Sequence, residues 1–122
     1  MKIDEHLTKA RRIEKTMVTK LDRNNDYELY VECYMLAGTH LLNAVLHKLA
    51  ITPQDSDLLH SDKPPLNRSV DAGLRPMFDA MKFIEGLRPG YLRGKAVWRP
   101  EDGEKCEQSY QQVKRLAQQF IG

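Results

Sequence analysis

The stretch from Tyr27 to Ala50 leaves a chain of this length little choice of fold. Its apolar residues are not confined to one stripe. Tyr30, Tyr34, Ala37, Leu41, Ala44 and Val45 mark one side, and Met35, Leu42, Leu46 and Leu49 extend it. A helix apolar over most of its circumference must sit at the centre of a packed structure or be covered by a second chain. The chain has 122 residues, which is room for one core, so a single domain over 1–122 is expected.

Three other segments read as the cover. Ile3, Leu7, Ala10, Ile13, Met17 and Leu21 recur in steps of three and four, which predicts an amphipathic helix over about residues 3–23. Asn24-Asn25-Asp26 supplies the turn into the central helix, about 27–50, and a turn that short makes the two antiparallel. Val70, Leu74, Met77, Phe78, Met81, Ile84 and Leu87 predict a third helix over about 70–88, its main part starting near Pro76 and ending at Gly86 and Pro89-Gly90. The last helix, about 101–120, has Pro100 at its start, Glu101 and Asp102 against its positive end, and an apolar face from Cys106 to Phe120. Between helices two and three, residues 52–68 (TPQDSDLLHSDKPPLNR) form a polar, proline-containing connection that Leu58-Leu59 could anchor. With no segment patterned as a sheet, the expected fold is all-α: an up-and-down four-helix bundle with a long loop between helices two and three.

Composition excludes several classes. No apolar run approaches the ~18 residues of a membrane span, and Met1-Lys2-Ile3-Asp4-Glu5 lacks the apolar segment of a secretion signal. The expectation is a soluble, cytoplasmic, bacterial-type protein that does not engage a membrane. Cys33 and Cys106 are too few for a disulfide scaffold, lie on apolar helix faces and have no neighbouring base, so they read as small hydrophobes rather than nucleophiles. No phosphate-binding glycine loop or nucleophile motif is present, and neither a catalytic residue nor a cofactor is expected.

Two constellations remain. The first is the narrow polar strip of the central helix. At about 100° per residue, Glu32, His40, Asn43 and His47 fall within an arc of about 80°. Inward-facing histidines and carboxylates build metal sites in helical bundles, so Glu32, His40 and His47 are candidate ligands, completed by His6 or His60. Against this, His-xxx-His spacing is absent, and a polar strip can equally bond to neighbouring helices or face water.

The second lies after the third helix: Arg88, Tyr91, Arg93, Lys95, Trp98 and Arg99 interleave basic and aromatic side chains. Guanidinium groups grip phosphate and aromatic rings stack on bases, so this corner is a candidate ligand or phosphate site. The same composition serves a corner where Tyr91 and Trp98 cover the core. The net charge is only +2, but residues 1–23 carry seven Lys/Arg against four Asp/Glu, and residues 75–99 six against two. If Arg11 and Arg12 met Arg88, a shared phosphate groove would result.

The order of elements resembles the HEPN-like superfamily of α-helical bundles. LAGTHLLNAVLHKLAI (36–51) looks like that superfamily's second helix, and EGLRPGYLRGKAVWRPEDGEKCEQSYQQVKRLAQQF (85–120) resembles its last two helices and their junction. The resemblance implies a bundle, frequent homodimerisation and RNA or nucleotide binding. Active members are metal-independent endoribonucleases with an Arg followed four to six positions later by a His. Here no His follows Arg88 or Arg93, so only Arg88 carries over, as a phosphate contact. The reading that follows is a non-catalytic homodimeric module binding a partner protein, RNA or a nucleotide. A divergent endoribonuclease of toxin–antitoxin type and a bundle with a His/Glu metal site are the alternatives.

Overall fold

A computed structural model describes residues 1–58 and 72–122. Four helices carry the fold: α1 (Ile3–Lys20), α2 (Tyr27–Lys48), α3 (Arg75–Arg88) and α4 (Pro100–Ile121), with a 3₁₀ turn (Ala72–Leu74) leading into α3. Among the described residues there is no strand. α2 packs on α1, α3 and α4, and α3 packs on α4. Glu32 meets Arg88 and Gly38 lies against Met81, so α3 runs antiparallel to α2; Tyr34 touches Tyr110 and Glu14 reaches Tyr110 and Lys114, which sets α4 antiparallel to α1. The bundle is all-α and up-and-down.

The central position of α2 follows from its burial. Val31, Met35, Ala37, Leu42, Ala44 and Val45 are fully enclosed. Gly38 is required by packing rather than by backbone freedom: a Cβ there would lie 2.4 Å from Met81 Sδ, so the missing side chain is what lets Met81 seat against α2. The apolar circumference of α2 is thus mostly covered within one chain, and Leu29 and Leu36 are its exposed large apolar residues. Leu49, at the C-cap of α2, is exposed as well.

The helix ends depart from the sequence expectation in three places. α1 stops at Lys20, not near 23, because the Asp22 carboxylate accepts the Asn24 and Asn25 amides and the Asp22 amide donates to Asp26. This side-chain turn competes with helical bonding. α3 ends at Arg88 as expected, but the chain does not leave helical geometry there: it continues as a π turn over Pro89–Arg93, with Pro89 at φ −57°, ψ −40°. Proline's fixed φ is compatible with helix, and the irregular turn accommodates its missing N–H. Leu59, His60, Pro64, Pro65 and Val70 lie outside the described residues.

The third departure positions the site. α2 closes on a Schellman motif, with the Ile51 amide donating to the Leu46 carbonyl at 2.9 Å and the Ala50 amide to the His47 carbonyl at 3.1 Å. Ala50 occupies the left-handed position at φ 57°, where glycine is the favoured residue. The turn reverses the chain, so residues 51–58 fold back along α2. Ala50→Gly should relieve this strain and raise the unfolding free energy by about 0.5–1 kcal/mol, read as a higher urea midpoint with unchanged slope. A lower midpoint would contradict the account.

Candidate functional site

The Arg88–Arg99 corner is built mainly as packing. Tyr27 stacks on Trp98 with ring centroids 4.8 Å apart and 14° between planes, and Tyr91 meets Trp98 edge-on at 4.9 Å. Trp98 Nε1–H donates to Asn24 Oδ1 at 3.0 Å, and the buried Tyr91 hydroxyl donates to Asp102 at 2.5 Å. Burial and that carboxylate push the Tyr91 phenol upward. Arg88 makes a two-pronged contact with Glu32 (Nε to Oε2 2.9 Å, Nη2 to Oε1 3.2 Å) and also approaches Glu85 at 3.5 Å. Arg93 and Lys95 are exposed, and the exposed Arg99 lies 3.6 Å from Glu101. The aromatic faces expected to stack on bases are therefore occupied by one another, and the guanidinium expected to hold phosphate holds carboxylates. The two basic segments are also placed differently. Arg11 lines a groove of about 420 Å³ between α1 and α4, and Arg12 bears on His40, whereas Arg88 is held at Glu32.

The polar strip of α2 divides. Glu32 leaves the candidate metal set for its pair with Arg88. His40 and His47 instead converge with His6 of α1, whose ring lies 5.2 Å centroid to centroid from each. The common partner of His6 and His47 is Asp57, brought back by the turn at Ala50. Asp57 Oδ1 lies 2.9 Å from His6 Nε2 and 2.8 Å from His47 Nε2. The amino group of Met1 lies 3.3 Å from both oxygens of the same carboxylate. His6 and His47 are 1% and 6% exposed, while the Asp57 side chain is 28% exposed and forms the wet edge of the cluster.

Each imidazole has a second partner. His47 Nδ1 lies 2.9 Å from Thr52 Oγ1 and 3.1 Å from the Thr52 carbonyl oxygen. His6 Nδ1 faces His40 Nδ1 at 2.9 Å. The strap carrying Asp57 is itself anchored: the Leu58 amide donates to Asn43 Oδ1 at 2.8 Å, and Asn43 Nδ2 donates back to the Leu58 carbonyl at 2.9 Å. Among the described residues, no buried side-chain nitrogen or oxygen lacks a partner. His6 was anticipated as a completing residue, but Asp57 and Thr52 were not. Their signal in the sequence is only a polar segment that returns toward a histidine ten residues earlier.

Electrostatics follow from this packing. Burial lowers the His6 pKa below 6.5 against the opposing pull of Asp57. Burial, together with His6 and Lys9, lowers that of His40. For Asp57, burial acts upward, but the hydrogen bonds from His47 and His6 outweigh it and hold the carboxyl at about 2. Burial thus favours the neutral imidazole at His6 and at His40, while Asp57 is held as the carboxylate. The donor atoms His6 Nε2, His47 Nε2 and an Asp57 oxygen all lie within 4.8 Å of one another, a spacing that can enclose a metal ion.

No known family, curated protein or solved structure matches the chain.

The shifts set a direction for acid stability. A histidine whose folded pKa is lowered takes up protons more readily when unfolded, so its contribution is intact above 6.5 and erodes as pH falls below it. Asp57 adds a contribution present above 3.8 and lost as pH falls toward about 2. Chelator-treated protein should thus show a melting temperature that falls steadily from pH 7 to pH 5, with a shallower fall in His6→Gln. Equal melting temperatures at pH 7 and 5 would refute this origin.

Proposed function

We propose that this chain is a metal-binding helical bundle, in which His6 Nε2, His47 Nε2 and the Asp57 carboxylate take one divalent transition-metal ion. The observation that carries the reading is the convergence of two buried imidazole nitrogens on a single carboxylate oxygen at 2.8 and 2.9 Å. A tetrahedral ion with bonds of ~2.0–2.1 Å separates its donors by roughly 3.4 Å, so each nitrogen–oxygen gap would open by about half an ångström to admit it. Imidazole nitrogens with one carboxylate suit zinc and its neighbours in the first transition row.

The partners behind the donors support the same reading. Metal-bound histidines usually donate their remaining ring N–H to a carbonyl, carboxylate or similar acceptor, which fixes the ring and its tautomer. His47 has the Thr52 carbonyl in that position. Three protein donors leave a coordination position for water or an exchangeable ligand, as in catalytic rather than closed structural zinc sites. The ion would join α1, α2 and the strap at residues 51–58. The reading is independent of the HEPN-like likeness, and it is preferred to a phosphate-binding corner because Arg88 and the aromatic rings there are already engaged.

Titration settles the matter. Chelator-treated protein should take up one Zn²⁺ or Co²⁺ per chain, and its melting temperature should rise with the ion present. His47→Ala and Asp57→Ala should each weaken uptake by more than the ~10–100-fold typical of changes behind the ligands. Absence of stoichiometric uptake, or equal uptake by the wild type and the double variant, would overturn the reading and leave a hydrogen-bonded latch for the strap.

A further inference from the structure

The 2.9 Å contact between His6 Nδ1 and His40 Nδ1 holds one proton between two neutral rings. Its position determines what His6 Nε2 presents to Asp57. In one arrangement His40 Nδ1–H donates to His6 Nδ1, and His6 Nε2–H donates to Asp57 Oδ1 at 2.9 Å. In the other, His6 Nδ1–H donates to His40 Nδ1, and His6 Nε2 turns a lone pair toward the carboxylate. Two lone pairs face each other in that second arrangement unless a cation sits between them. The first therefore belongs to the metal-free protein and the second to the loaded one.

We infer that His40 is a positioning residue of the metal site, accepting the His6 Nδ1 proton when the ion is bound and thereby aiming His6 Nε2 at it. The inference rests on the metal reading above and reassigns His40, a candidate ligand from the sequence, to a place behind the ligand. The protons balance without net release. His6 loses its proton at Nε2 and regains one at Nδ1; His40 loses one at Nδ1 and regains one at Nε2. His40 is half-buried, so its ring can exchange protons with water. Thr52 offers His47 the same choice through one residue: its hydroxyl donates to His47 Nδ1 in the metal-free state, and its carbonyl accepts His47 Nδ1–H in the loaded one, at 2.9 and 3.1 Å. Both histidine ligands thus have partners for either tautomer already in place.

The test compares Co²⁺ and Zn²⁺ affinities of the full chain for wild type, His40→Phe and His40→Gln. Phenylalanine cannot accept the His6 proton and should weaken binding ~10–100-fold, whereas the glutamine amide oxygen can accept it and should recover most of that loss. Nitrogen-15 spectra of wild-type histidines should show the proton of His6 moving from Nε2 to Nδ1, and that of His40 from Nδ1 to Nε2, when Zn²⁺ is added. Equal affinities in all three proteins, or a His40 tautomer unmoved by Zn²⁺, would overturn the inference while leaving the metal site standing. Failure of the wild type to bind either ion would overturn the metal reading and this inference with it. The spectra decide the question even if the phenylalanine variant does not fold.

Discussion

The enclosure of α2 is the constraint on which the rest of the molecule depends. Because Val31, Met35, Leu42 and Val45 admit no water, the other helices must surround them. The polar groups of α2 must then find partners inside the protein, since a buried group left unsatisfied costs about 1–3 kcal/mol. Each recruits one. Glu32 takes Arg88 at the end of α3, Asn43 takes the backbone of Leu58, and His47 takes Asp57 and Thr52. Apolar burial decides that the segments pack around α2, and these polar contacts decide at what height each one settles.

That division explains what could be read from the sequence. Helix existence rests on periodicity, which is local, so four helices and their apolar faces were legible. Helix ends rest on competition between helical and side-chain hydrogen bonds. Asp22 shortens α1 because its carboxylate captures two amides, a choice that composition alone does not reveal. Pro89 reads as a terminator, yet its φ suits a helix and the chain carries it into a π turn. At the Arg88–Arg99 corner the residue types were visible but their orientation was not. Tyr27 and Asn24, some seventy positions earlier, hold the Trp98 ring, and Gly103 leaves space for it where a Cβ would come within 2.7 Å.

The candidate site was half legible for the same reason. His40 and His47 share an arc of α2 by helical geometry, so their proximity follows from spacing. Asp57 has no periodic relation to either. It arrives through a left-handed turn at Ala50, and an alanine does not announce such a turn as a glycine would. Glu32 shares the strip, but helical rise puts it about 12 Å from His40, and the nearest counter-charge at that height is Arg88. One strip on one helix therefore serves two separate networks.

The charge around the cluster narrows what it can hold. Asp57 is the carboxylate of the set, and Lys9 and Arg12 of α1 act electrostatically on His40. Calcium and magnesium are held chiefly by several oxygen ligands and their summed negative charge, neither of which this cluster offers. An ion bound there must gain its affinity from directed bonds to imidazole nitrogen. That requirement makes ring orientation decisive, and orientation is set behind the donors, by the Thr52 carbonyl for His47 and by His40 for His6. The selectivity of such a site would thus depend as much on residues that never touch the ion as on the three that do.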